Sequence, residues 1–137
     1  MKAITKIILI FVISLMATAC ATSPVTLPEK YNLDNELVEV TQIYKFREIS
    51  WEKVDNQSII LRTGPSDYYL IVLLQPSHSL VFSETIGISD TGDMIKAGYD
   101  NVVVEDSGGT NSYIIHKIYK LEDRHQAQEI KRRLKIG

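Results

Sequence analysis

Cysteine is nearly missing from this chain: its 137 residues contain one, Cys20. No intramolecular disulfide is possible, and no metal set built on paired thiolates. Long apolar runs are missing too. Residues 7–16, interrupted only by Ser14, form a run about half as long as the ~20 residues a membrane-crossing helix needs. There is no basic excess, with 15 Lys and Arg against 17 Asp and Glu, which argues against a nucleic-acid partner. The three histidines, His78, His116 and His125, show no His-x-x-x-His spacing. Asp90, Asp93, Asp100 and Asp106 lack the alternating ligands and terminal Glu of a calcium loop, so no metal and no other cofactor is expected.

What is present starts with the leader. Lys2 and Lys6 precede the apolar run, and small residues follow it, the arrangement of a secretory signal. The segment Ala17-Thr18-Ala19-Cys20 resembles the lipobox of bacterial lipoproteins, with Ala17 standing where Leu, Val or Ile is usual. That resemblance implies a diacylglycerol on the Cys20 sulfur, cleavage before it, and acylation of the new amino group. Several acyl chains give a firm anchor, since each buried methylene contributes about 0.8 kcal/mol and one chain alone is marginal. Ala21 in place of Asp points, by the same family's sorting rule, to the periplasmic face of the outer membrane. The alternative is an ordinary signal cut after Ala17-Thr18-Ala19, which leaves a soluble periplasmic protein.

The expected organisation is a signal peptide over residues 1–19, a lipidated Cys20 with a flexible tether over 20–36, and one β-rich domain over 37–137. Pro24, Pro28, Ser23, Thr22 and Thr26 mark the tether. Beyond the leader the chain carries thirteen basic and seventeen acidic residues, a net charge of −4. A chain of this size can bury a real core without staples.

The domain reads as strands. Residues 38–51 are too rich in β-branched and aromatic side chains for a helix. Residues 58–63 and 68–74 follow, separated by turns at Asp55-Asn56-Gln57 and Gly64-Pro65-Ser66-Asp67. The run 68–74 is apolar on both parities and is the expected central strand, ended by Pro76. Residues 80–83 and 85–88 read as further strands, with Gly87 as a bulge or bend. Residues 101–105 and 113–119 bracket a turn-rich 106–111, the pattern of a hairpin. The period then changes: Asp123 and Gln126 form a helix cap, Ala127, Ile130 and Leu134 share one face, and Lys131, Arg132, Arg133 and Lys135 gather at the carboxyl end. The sum is a mainly β fold, a small antiparallel barrel or sandwich of about six to seven strands with one C-terminal α-helix.

Trp51, Leu61-Arg62-x-Gly-Pro, Tyr69-Leu70, Ile86-Gly87-Ile88 and Ile118-Tyr119-Lys120-Leu121-x-Asp123-Arg124 are similar to a family of small proteobacterial lipoproteins carrying one domain of unknown function. The resemblance covers residues 38–134. It implies that Ser77 and Tyr113 stand where many relatives have a cysteine pair, and it brings no activity and no catalytic residues.

Two segments resemble catalytic ones. Asp106-Ser107-Gly108-Gly109 is similar to the nucleophile segment of trypsin-like proteases, but the flanking Gly and Pro are missing, and His78 sits in Pro-Ser-His-Ser. Asp90-Thr91-Gly92 is similar to the aspartic-protease tripeptide but lacks its apolar context. Both read better as turns. Arg62 with Tyr68 and Tyr69 is the candidate recognition patch. The expectation is a non-enzymatic module, held to the membrane through Cys20, that binds or scaffolds an unknown envelope protein. An apolar-ligand barrel with a cavity of about 300 Å³ or more stands behind it, and a hydrolase last.

Overall fold

The computed structural model describes residues 24–45, 49–90 and 92–136. The expected signal peptide and Cys20 lie outside them.

Strand β5, Tyr68–Leu73, sits between β4, Ser58–Arg62, and β9, Gly109–Leu121, and pairs antiparallel with both. Its double-sided apolar pattern is used in full. Leu70 and Val72 enter one hydrophobic cluster, Ile71 and Leu73 the other, as the two-residue period of a strand requires. Strand β3, Ser50–Lys53, extends the sheet beyond β4. On the other side β9 pairs with β8, Asn101–Asp106, and β8 with β6, Ile86–Ile88. The path β3-β4-β5-β9-β8-β6 is a curled antiparallel sheet of six strands forming a half-barrel. A short β1, Val38–Val40, pairs with the end of β9, and β2, Gln42–Tyr44, forms a separate two-stranded sheet with β7, Met94–Lys96.

The inner face of the half-barrel is aliphatic. Ile59, Leu61, Ile71, Leu73, Val102, Val104, Ile115 and Ile118 pack there with Ile43 and Ile95 from the small sheet. Leu80 joins them from helix α1, His78–Phe82. The outer face is covered by helix α2, Arg124–Ile136, and by residues 29–37, whose first turn is a 3-10 helix at Glu29–Tyr31. The α2 start follows the expected box: Asp123 Oδ1 accepts from the Gln126 N–H at 2.8 Å, and Gln126 Oε1 accepts from the Glu122 N–H at 2.7 Å. Ala127, Ile130 and Leu134 are its buried residues.

Five expectations need correction. Residues 80–83 are not a strand: Ser77, after Pro76, accepts from the Leu80 N–H at 3.1 Å and starts α1, a helix-start signal that outweighs the β-branched content. The run 38–51 is divided between two sheets, with β1 on β9 and β2 on β7. Gly87 lies in regular register opposite Val103. The bulge is instead between Val72 and Leu73, which face Lys117 and Ile115, so His116 is the extra residue. Finally, the tether is shorter than residues 20–36, because Tyr31, Leu33 and Leu37 are buried in the outer cluster and Leu27 packs against it. The 106–111 turn is also tighter than its sequence implies, with Asp106 paired to Gly109 around a two-residue loop.

Candidate functional site

The Arg62, Tyr68, Tyr69 patch is divided by the sheet. Arg62 and Tyr68 are cross-strand partners on the outer face, the guanidinium 5.7 Å from the ring centroid. Arg62 also donates to the carbonyls of Gly64 and Pro65 at 3.0 and 3.1 Å, strapping the turn it precedes. The two residues line a cleft of 170 Å³ with Glu52 and Arg124. Tyr69 points the other way and packs against the inner cluster, where burial, with Asp67 nearby, pushes its hydroxyl pKa up. Adjacent strand residues face opposite sides, so the three cannot form one surface.

The hairpin between β8 and β9 has the chemistry-bearing residues that do come together. Its tip and α1 enclose a cleft of 600 Å³ lined by His78, Ser79, Phe82, Asp106 and Ser107 among others. Here Asp106 accepts from the Ser79 hydroxyl, from the Gly108 N–H at 2.7 Å and from the Asn111 amide at 3.2 Å. Those bonds, Ser79 first, hold its carboxyl below the usual carboxylate range. The glycine N–H groups that an oxyanion hole would need are turned onto the carboxylate next to them. Phe82 stands on the lip of this cleft, 82% exposed. Asp90 is ion-paired with Lys45, and Gly92 takes a positive φ of 76°, the backbone of a turn; Thr91 lies outside the described residues. Among the described residues no three His, Cys, Asp or Glu stand close enough to hold a metal ion, and no helix is long and apolar enough to cross a membrane.

Sequence reasoning missed two acid-centred hubs on the outer face. Asp55 Oδ1 accepts from the Gln57 N–H at 2.9 Å and the Ser58 hydroxyl at 2.8 Å, while Oδ2 accepts from Tyr31 at 2.7 Å and Lys30 at 3.0 Å. Burial alone would raise the Asp55 pKa, but these donors outweigh it and hold it low. The same contact raises the Tyr31 pKa, through burial first and then Asp55. The second hub is Asp34. It accepts from Lys117 Nζ at 2.7 and 2.9 Å and from the buried Tyr119 hydroxyl at 2.7 Å, and Lys117 also pairs with Glu39. Asp34 is held low by Lys117 and Tyr119, and Lys117 is pushed up chiefly by Asp34. Each hub spans 24 or more residues of chain, a separation no local pattern reveals. Tyr31, Leu33 and Leu37, apolar residues in an otherwise polar stretch, were the available signal.

The inner face opens at a seam where β3 and β6 approach without pairing. A cleft of 160 Å³ lies there, lined by Lys45, Ile49, Trp51, Leu61, Ile86 and Ile88. Beneath it Ile59, Leu61, Ile71 and Leu73 are fully buried against one another.

A family model described as a family of unknown function (DUF6491) matches residues 2–136. No curated protein and no solved structure matches the chain.

Proposed function

The chain belongs to that family of unknown function, and we propose that it is a lipid-anchored protein of the proteobacterial cell envelope that binds another envelope component without catalysing a reaction. Its place is the periplasmic face of the outer membrane, with Cys20 carrying the lipid. The leader with its two lysines, the sole cysteine directly after it, and the short segment between Cys20 and the packed residue Leu27 support the anchor.

The observation that carries the binding reading is the cleft between α1 and the hairpin tip. It offers an exposed phenyl ring, while Asp106, the acid of the protease-like segment, is saturated by Ser79 of α1 and by its own loop. Exposed aromatic side chains next to polar groups are the usual anchors of protein partners. Catalysis of the kind that the Asp106-Ser107-Gly108-Gly109 segment resembles would need Asp106 and the glycine N–H groups to be released. The apolar-ligand reading fares worse, because the packed inner face and a seam cleft of 160 Å³ fall short of the ~300 Å³ at which small-molecule pockets begin.

Two experiments test this. Cys20→Ser should move the protein from the membrane to the soluble periplasmic fraction; unchanged retention sinks the anchor. A photo-crosslinking residue at Ser83 in intact cells should trap one partner, lost in Phe82→Ala and kept in Ser107→Ala. Loss of the cellular phenotype in Ser107→Ala with the crosslink intact would favour chemistry over binding.

A further inference from the structure

The tether and the end of helix α2 meet at one place. Lys30 Nζ donates to the Leu134 carbonyl at 3.4 Å, and Arg133 forms a two-point ion pair with Glu36, with Nη2 at 2.9 Å from Oε2. Residues 29–37 therefore run alongside the last turns of α2. Only seven residue steps separate Cys20 from Leu27, which packs against the same cluster as Leu134. Fully extended, they reach about 25 Å. A lipid on Cys20 thus keeps this corner of the domain close to the bilayer.

Two cations and an apolar tip are left unpaired at this corner, one turn beyond the exposed Glu129. Lys131 is neutralised by Glu52 at 2.8 Å and Arg133 by Glu36. Arg132 and Lys135 are exposed and have no ion pair among the described residues. Cations commonly gather at a helix C-terminus to meet its carbonyls, but here Lys30 from another segment already meets that of Leu134. Ile136 is 87% exposed beside them, and Val25 is exposed on the tether.

We propose that the last turn of α2, with Arg132, Lys135 and Ile136, rests on an anionic phospholipid surface and forms a second attachment beside the Cys20 lipid; the proposal depends on the lipid-anchor reading. A chain terminus held by acyl groups leaves a domain free to swing, and a nearby pair of cations with an apolar tip fixes which face meets the bilayer. The cleft at the hairpin tip, on the opposite face of the sheet from α2, is then presented away from lipid.

The test is amine footprinting of the full lipidated protein in vesicles of phosphatidylcholine alone or of equal parts phosphatidylcholine and phosphatidylglycerol, read by mass spectrometry that also reports the mass on Cys20. Lys135 should react about fivefold more slowly in the anionic vesicles, Lys96 on the small sheet should not change, and Arg132→Glu should remove most of the difference. Equal Lys135 reactivity in both vesicles with Cys20 acylated overturns the contact and leaves the anchor standing. Slowing at Lys96 in place of Lys135 overturns it as well, since the other face would then meet the lipid. An unmodified Cys20 sulfur overturns the anchor and the contact together.

Discussion

The two faces of the curled sheet are held by different physics. Every buried residue of the inner cluster is Ile, Leu or Val, so its cohesion is non-directional and scales with the apolar area removed from water. The outer cluster has two tyrosines at its centre, and each is tied to a carboxylate: Tyr31 to Asp55 and Tyr119 to Asp34. The Tyr31 carbonyl, 3.0 Å from the Tyr119 hydroxyl, shares the one proton that Tyr119 gives to Asp34. Hydrogen bonds of this kind add little net stability, but an unmade one is costly, so they choose one register for residues 29–37 over its neighbours. The inner face is held by apolar burial alone, and the outer face also decides where residues 29–37 are laid down.

The sharpest way to break this contrast is on the inner face. Ile71→Ala should cost about 3 to 5 kcal/mol in urea unfolding, because its fully buried site has no slack to collapse. Removing a hub acid should cost less. Asp55→Ala strands the Tyr31 hydroxyl and the Gln57 N–H and should cost about 2 kcal/mol, with hydrogen exchange speeding in residues 29–37 before it does in β5. If exchange rose equally everywhere, the outer face would not be a separate layer. Tyr119→Phe keeps the ring and deletes the hydroxyl, for about 1 kcal/mol.

The smallest effect is read against pH. Tyr31 and Tyr119 have folded pKa values above the ordinary 10.0, so above pH 10 the unfolded chain releases protons that the folded one keeps, and stability falls as pH rises. It is fully present below pH 10. Urea midpoints of the wild type should drop above that point more steeply than those of Tyr31→Phe. Asp55, held low, has the opposite sign: its contribution is present above the ordinary 3.8 and is lost as pH falls through its depressed folded value.

The same division explains what could be read from the sequence. The parts set by local rules were legible: the Asp123–Gln126 box, the buried stripe of α2, the turn at Asp55-Asn56-Gln57 and the two-sided β5. The same alternation separates Tyr68 from Tyr69, so grouping them with Arg62 as one patch went against a rule the sequence already carried. The hubs were not, because Tyr31 and Asp55, or Asp34 and Lys117, meet only after the sheet has formed. Helix α1 was hidden by content: Leu80 and Val81 suit a strand, and only the Ser77 cap after Pro76 says otherwise. The division of residues 38–44 between two sheets depends on partners that lie 50 or more residues away.

His116 has no counterpart across from it in β5, so the portions of β9 before and after it are out of phase. Ile115 and Ile118, three apart in number, consequently lie on the same side. One polypeptide stretch can thereby serve the β8 hairpin and the β5 meander with matching interiors, although neither partner shares its numbering. Drawing His116 into regular pairing, with no bulge to absorb it, would turn the hairpin's sides over, sending Ile115 to solvent and Ile114 inward.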